Sequence, residues 1–230
     1  MNKIYQGKTK DVFEVDDEQV LLKFKDDVTG KDGVFDPGEN QVGLKIDGQG
    51  LNNLTMSSHF FKLFESKGIK THMVKCNLDE GSMLVRKAVS FGQGLEVIAR
   101  FKAMGSFIRR YGSIAKEFDD LNGLIEFTLK DDKRNDPLIV ENALIVLNIL
   151  TQEELDIIKD NTKKVSNILK EECLEKGLDL IDLKLEFGKD MKTNEILLID
   201  EISSGNMRVY KDGEMVNSLE LAYLLGIMNR

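Results

Sequence analysis

Between Asp179 and Gly188 the chain reads Asp-Leu-Ile-Asp-Leu-Lys-Leu-Glu-Phe-Gly, with polar and apolar residues alternating from Ile181 to Phe187. In an extended strand this alternation puts Asp182, Lys184 and Glu186 on one face and turns Leu183, Leu185 and Phe187 toward a core. Two carboxylates and an ammonium so close together can hold a hard cation and steer protons. The same pattern also fits a half-exposed strand whose charges are solvated. A second run, Glu195–Ile202, ends in Asp200-Glu201 and is followed by Ser203-Ser-Gly-Asn-Met-Arg208. If the two runs pair across a turn at Lys189–Asn194, Glu186 and Asp200 approach one another across the ladder. Magnesium carrying nucleotide phosphates would relieve their repulsion, and so would an ion pair with a nearby lysine.

Three other constellations could bind anions. Gly7-Lys8-Thr9-Lys10 is a glycine turn with two lysines. Glycine lets backbone approach a ligand and the lysines supply charge for phosphates, but the G-x-x-x-x-G-K-[ST] spacing of a Walker A loop is absent, and an exposed turn would look the same. In Glu96-Val-Ile-Ala-Arg-Phe-Lys-Ala-Met-Gly-Ser106, Arg100 and Lys102 share a strand face that runs into Gly105-Ser106, where Ser106 is placed to start a short helix. Cations aimed at a helix start suit a phosphate or carboxylate, whereas an ordinary N-cap beside a polar strand needs no ligand. The third, Lys130-Asp-Asp-Lys-Arg-Asn-Asp136-Pro137, is a mixed-charge loop of the kind that is usually solvated.

The elements that must position these groups alternate irregularly. The stretch from Ile4 to Lys25 reads as a hairpin, and Asp26–Gly50, rich in glycine and acids, as a long polar loop. Leu51–Lys67 has a helical apolar stripe that stops at Gly68, and strands follow at Thr71–Lys75, Ser82–Val89, Leu95–Phe101 and Ile125–Leu129. Leu138–Leu147 reads as a short helix or irregular apolar segment. The strongest helix runs from Gln152 to Lys176, where Thr151 and Glu154 make a capping box and Gly177 ends it, with Leu155, Ile158, Val165, Ile168, Leu169 and Cys173 as its buried stripe. Asn217–Met228 reads as a last helix. Without regular βαβ alternation, the class is α+β with a β-rich N-terminal lobe.

Composition narrows the chemistry. At 230 residues the chain can bury a sizeable core, and its net charge of −8 argues against a duplex nucleic-acid partner while leaving room for a local anion site. No apolar run approaches the roughly 20 residues that cross a bilayer, so no membrane partner is expected. Two distant cysteines and an N-terminus without an apolar leader point to a reduced, cytoplasmic protein. With only His59 and His72 available, a histidine-based zinc site or a Ser-His-Asp triad is poorly supplied, and any metal would be a hard cation on oxygen ligands.

In chain order, Tyr5-Gln-Gly-Lys-Thr-Lys10, Arg100 leading to Gly105-Ser106, Asn135-Asp136-Pro137, Asp182-Leu-Lys-Leu-Glu-Phe-Gly188 and Asp200-Glu201 resemble the phosphoribosylaminoimidazole-succinocarboxamide synthase (SAICAR synthetase) family. The resemblance runs from Tyr5 to about Tyr210, each motif weak alone and specific as a set. It implies an ATP-dependent ligase of purine biosynthesis that joins carboxyaminoimidazole ribonucleotide to L-aspartate through an acyl phosphate, using Mg2+. The implied fold is α+β, with a β-rich N-terminal lobe (1–88) over a larger α+β lobe (89–230) and ATP in the inter-lobe cleft, and the family's habit implies a homo-oligomer, dimer or larger.

By the same resemblance, Lys8 and Lys10 would cover the ATP phosphates, Lys130 would sit near the nucleotide, and backbone around Val89–Phe91 would meet adenine. Glu186 and Asp200 would serve both nucleotide and magnesium. Arg100, Ser106 and Arg208 match positions that hold the ribonucleotide, and Asp182 and Lys184, the expected catalytic pair, would lie where the imidazole meets the incoming aspartate. Asp47–Asn53 resembles a mobile loop that closes over substrate phosphate, although it is one residue shorter and has Gln49 in place of a lysine. Ser203–Arg208 lacks the usual Pro-Asp but keeps its arginine in register. A ligase of the same fold acting on another carboxylate or amine, and a nucleotide-binding regulatory module without turnover, are the competing readings.

Overall fold

The computed structural model describes residues 1–31, 34–38 and 41–229. In chain order the elements are β1 (Lys3–Gln6), β2 (Lys10–Glu14), β3 (Gln19–Phe24), β4 (Asp27–Lys31), β5 (Val34–Phe35), β6 (Val42–Lys45), α1 (Gln49–Ser66), β7 (Met73–Asn77), β8 (Ser82–Arg86), β9 (Ala88–Ser90) and β10 (Leu95–Lys102). There follow α2 (Ser106–Tyr111), β11 (Asp120–Leu129), β12 (Leu138–Ile139), α3 (Glu141–Val146), α4 (Gln152–Glu175), β13 (Asp179–Asp190), β14 (Ile196–Ile199), β15 (Met207–Lys211), β16 (Glu214–Met215) and α5 (Leu221–Leu224). The class is α+β as expected, and no helix among the described residues is long and apolar enough to cross a membrane.

Two compact units emerge, one of Met1–Val89, Gly188–Gly205 and the chain from Asn217, the other of Ser90–Phe187 and Asn206–Val216. The contiguous division expected at residues 88 and 89 therefore has a counterpart only at its first junction. The chain returns to the first unit because segments distant in sequence bond there. Leu198 bridges Thr71 in parallel, Ser57 Oγ accepts from the Ile202 N–H at 3.1 Å, and Asn52 Nδ2 donates to the Leu219 carbonyl at 3.0 Å.

In the first unit, β1-β2-β3-β8-β7 form one sheet and β5-β4-β6 a smaller one. The second sheet corrects the polar-loop reading of Asp26–Gly50, parts of which, 32–33 and 39–40, lie outside the described residues. Its strands are too short and glycine-rich to show an alternation, and they form because β4 meets β6 across the chain, Asp27 opposite Lys45 and Val28 opposite Leu44. Helix α1 also starts earlier than Leu51. Its cap comes from Asp26, whose Oδ1 accepts the Gly50 N–H at 2.9 Å. Gly50 tolerates no side chain, since a Cβ there would stand 2.9 Å from the Lys25 carbonyl. Gln49–Asn53, expected in a mobile loop, is thus the first turn of a helix, with Gln49, Asn52 and Asn53 buried.

In the second unit the strand order is β12-β11-β10-β13-β15-β16, antiparallel throughout. Val97 pairs with Leu185 and Phe127, and Ala99 with Leu183, giving an apolar face on which α4 lies against β10 and β11. Helix α4 matches its sequence signature. Thr151 Oγ1 accepts from the Glu154 N–H at 3.2 Å while Glu154 Oε2 accepts from the Thr151 N–H at 2.8 Å, and Leu155, Ile158, Val165, Leu169 and Cys173 are buried whereas Ile168 is only half-buried. Other expectations shift. Helix α2 begins at Ser106 as expected, but Gly105 rather than Ser106 holds the cap position, and the last helix contracts to α5. β15 and β16 had no counterpart in the sequence reading. β13 lies between β10 and β15, and along its polar face Asp182 is buried while Lys184 and Glu186 stay half-buried.

Candidate active site

The polar face of the second unit follows from strand register. Arg100 on β10 stands opposite Asp182 on β13, and Asp182 in turn opposite Arg208 on β15. Two residues along, Ile98 lies between Lys184 and Glu126, and two further on Glu96 lies between Glu186 and Thr128. The face therefore carries a row of guanidiniums and carboxylates at one level and a carboxylate row at another.

Arg100 is almost fully enclosed, at 2% exposure, and each nitrogen of its fork is spoken for. Nε donates to Glu126 Oε2 at 2.6 Å, Nη1 to Asp182 Oδ2 at 2.9 Å and Nη2 to Ser106 Oγ at 2.8 Å. Asp182, 4% exposed, takes a second arginine on the same oxygen, Arg208 Nη1 at 2.8 Å. Glu126 likewise takes Arg110 Nη2 at 2.6 Å. Three guanidiniums alternate with two carboxylates, leaving one positive charge in excess, which suits an anionic ligand. Gly105, at φ 56°, makes room for the cluster, since a Cβ there would come 2.8 Å from Arg208 Nη2. Beside it, Glu96 accepts from Lys184 Nζ and Thr128 Oγ1, both at 2.8 Å, and Asn206 Nδ2 donates to the Lys184 carbonyl at 3.1 Å. Glu186 pairs with Lys130 Nζ at 2.7 Å. Phe91 is buried in this unit, its carbonyl accepting from the Gly94 N–H at 3.0 Å.

In the first unit the cluster is smaller. The turn after β1 closes with the Gly7 N–H donating to the Lys10 carbonyl at 2.8 Å, leaving Lys8 exposed and Lys10 turned inward. Lys10 Nζ lies 2.9 Å from Asp200 Oδ1 and 3.1 Å from Glu201 Oε2. Burial works against this ammonium, but Asp200 and Glu201 outweigh it and hold Lys10 above its ordinary value. Glu201 is pushed up by burial and by Asp200's charge, against the pull of Lys10. Asp200 sits at φ 67°, a conformation side chains adopt reluctantly. Val89 is exposed.

Glu186 and Asp200 thus fall in different units, each with a lysine partner. Among the described residues no cluster of three or more His, Cys, Asp or Glu could hold a metal by itself. The donors do fit Mg2+, which commonly uses one or two carboxylates and leaves its remaining positions to water and phosphate. The paired Asp200-Glu201 carboxylates are of that kind.

The sequence reading passed over Glu126, Arg110, Glu96 and His72. Alternation along β11 puts Glu126 and Thr128 on one face, but only the register shows that the face is Arg100's. The two segments that depart from the family pattern also meet, Gln49 Nε2 donating to Asn53 Oδ1 at 2.6 Å and to Ser204 Oγ at 3.2 Å.

His72 carries a prediction of its own. Burial pulls its imidazole down from 6.5 to about 4, and its Nε2 has no hydrogen-bond partner among the described residues. A group depressed in the folded state binds its proton first in the unfolded chain, so its contribution is present above pH 6.5 and is lost as the pH falls through about 4. Thermal unfolding without added metal should show a loss of roughly 3 kcal/mol over that window, largely removed in His72→Gln. Equal pH slopes in the two proteins would contradict it.

Comparison with known proteins identifies the family. Residues 3–220 match the family model of SAICAR synthetase. The phosphoribosylaminoimidazole-succinocarboxamide synthase of Clostridium tetani is 54% identical over 225 residues, 98% of this chain and 99% of that one. Among solved structures, the synthase of that name from Ehrlichia chaffeensis superimposes with a TM-score of 0.87 at 29% identity, covering 100% of both chains. A type-2 SAICAR synthetase in complex with ADP gives 0.81 at 32% identity, covering 98% of this chain and 91% of the other. A family match across nearly the whole chain, with a relative more than half identical, leads to one conclusion: this chain belongs to the SAICAR synthetase family.

Proposed function

We propose that the protein joins the carboxylate of carboxyaminoimidazole ribonucleotide to the amine of L-aspartate, with ATP converted to ADP and phosphate. The observation that carries this reading is the Asp182 carboxylate bridging Arg100 and Arg208 on a face with one excess positive charge, in a family with a member solved in complex with ADP. A carboxylate resists attack by an amine. In the proposed course its oxygen takes the γ-phosphoryl group, forming an acyl phosphate and releasing ADP. The aspartate nitrogen then attacks the acyl carbon, phosphate leaves with the C–O bonding pair, and the nitrogen loses its proton as the amide forms.

On the second unit, Arg208 and Ser106 are the proposed ribonucleotide contacts, and Arg100, enclosed and fully engaged, serves the substrate by fixing Ser106 and Asp182. Asp182 holds the two arginines in place, and Lys184, steadied by Glu96, stabilises the negative charge that develops beside the acyl carbon. Lys130, Glu186 and backbone near Phe91 are assigned to the nucleotide. On the first unit, Lys8, Lys10 and backbone near Val89 are assigned to it too. Glu186 and Asp200, with Glu201 beside the latter, are the oxygen donors proposed for Mg2+, which when bound neutralises phosphate charge during phosphoryl transfer.

The deciding experiment measures ADP release from purified protein given ATP, Mg2+ and the ribonucleotide, with and without L-aspartate, and looks for the succinocarboxamide by mass. Aspartate-dependent product is expected. Tight ADP binding without product, from folded protein supplied with both substrates, would overturn the assignment in favour of another carboxylate or amine.

A further inference from the structure

Helix α2 is held in part by a contact that the proposed reaction does not use, Arg110 to Glu126. It spans only six residues and has no side-chain cap, so its own hydrogen bonds cannot fix its position. It is tied from outside at both ends. At its first residue Ser106 Oγ accepts from Arg100 Nη2 at 2.8 Å. In its last turn Arg110 Nη2 reaches both Glu126 oxygens at 2.6 Å. The two ties converge, because Glu126 Oε2 also accepts from Arg100 Nε at 2.6 Å. Arg100 and Glu126 are buried on neighbouring strands and have little freedom. Arg110 is the adjustable arm: its side chain is 28% exposed, and its guanidinium lies 5.4 Å from the Tyr111 ring centroid.

The seating of α2 matters at its other end. The Gly105 backbone fits so closely against Arg208 that a Cβ would stand 2.8 Å from Nη2, and Ser106 follows directly. A displacement of the Arg110 end is therefore transmitted through about one helical turn to the serine hydroxyl and to the space Arg208 occupies. Position matters here because a buried arginine presents its donors in a fixed fork.

We propose that Arg110, acting through Glu126, is a positioning residue for the ribonucleotide pocket: the pair seats α2 so that Ser106 and Arg208 present their donors to an anionic group of the substrate. This rests on the function proposed above for the identity of that substrate, and the test separates the two. Dissociation constants of carboxyaminoimidazole ribonucleotide and of ADP are measured by calorimetry for the parent, Arg110→Ala, Arg110→Lys, Glu126→Gln and the Arg110→Ala/Glu126→Gln double variant. Arg110→Ala should weaken the ribonucleotide about tenfold or more while ADP stays within about twofold, and Arg110→Lys should recover most of the loss. The double variant should lose no more than the worse single one, since both residues act through one contact.

Three results would overturn the proposal: a ribonucleotide constant within about twofold of the parent in Arg110→Ala, equal losses for ribonucleotide and ADP, or a double variant whose loss is the product of the single ones, as for an arginine that touches the substrate itself. If Glu126→Gln does not fold, the lysine rescue decides, and its failure counts against the pair. A parent that binds the ribonucleotide and shows this pattern yet makes no succinocarboxamide would sink the proposed reaction and leave the positioning role standing. No ribonucleotide binding by the parent would overturn both.

Discussion

Replacing Asp182 with alanine is expected to lower the melting temperature by on the order of 10 °C and to cut ribonucleotide-dependent turnover by about a hundredfold or more. One oxygen of this carboxylate accepts from Arg100 at 2.9 Å and from Arg208 at 2.8 Å, so its loss leaves two enclosed guanidiniums facing each other. Breaking a buried pair by removing one partner costs about 3–5 kcal/mol, and each kcal/mol moves the melting point of a protein of this size by about 2–4 °C. Turnover suffers separately, because Arg208 would swing from the position at which Gly105 admits it. Asp182→Asn keeps the shape and one acceptor oxygen, and should recover part of the stability with less of the activity. Calorimetric melting and an ADP-release assay read the two effects. A melting point within about 2 °C of the parent for the alanine variant would refute the bridging role.

Lys10→Met should produce the second large effect, one that depends on pH in a definite direction. Lys10 lies between Asp200 and Glu201, and its folded value is raised above the ordinary 10.5. Its stabilisation is therefore complete below that ordinary value and is lost only as the pH rises through the folded one. Without the ammonium, two neighbouring carboxylates remain, and Glu201, already pushed above 4.5 by burial and by Asp200, rises further. A carboxyl raised in the folded state destabilises as the pH climbs past its unfolded value, since the native form must then surrender a proton it holds more tightly. The gap between parent and variant should already be open near pH 5, where the variant lacks the Lys10 contribution, and should widen further, to about 3–5 kcal/mol, near pH 8 as the Glu201 penalty adds to it. ADP affinity should fall by about tenfold at the same time if Lys10 faces the nucleotide phosphates. Denaturant melts across this range provide the check, and a gap that stays constant with pH would rule out carboxylate repulsion as its source.

How much of this was legible in the chain depended on how local the signal was. Helix α4 could be read almost residue for residue, because its cap, Thr151 to Glu154, and its apolar stripe lie within a few turns of each other. The alternation of β13 correctly separated Leu183, Leu185 and Phe187 from Asp182, Lys184 and Glu186. Where the partner lay far away, the reading failed. The Asp26–Gly50 stretch looked like loop because β4 and β6 are each too short to show a period, and α1 seemed to begin late because its cap, Asp26, lies 24 positions away. Arg110 and Glu126 drew no attention, since sixteen residues separate them and neither belongs to a motif.

The ordered motifs by themselves determined the family and supplied the residue types proposed for the site, because lysines beside a glycine turn, arginines before Gly-Ser and alternating carboxylates are properties of short segments. Tertiary structure alone decided that Arg100, Asp182 and Arg208 form one buried chain of charge, across separations of 82 and 26 residues. It also decided that Lys10 closes on Asp200 and Glu201. The physical reason is that an ion pair of this kind becomes strong only when neighbouring strands exclude water from it, and which strands become neighbours is settled by the burial of their opposite, apolar face.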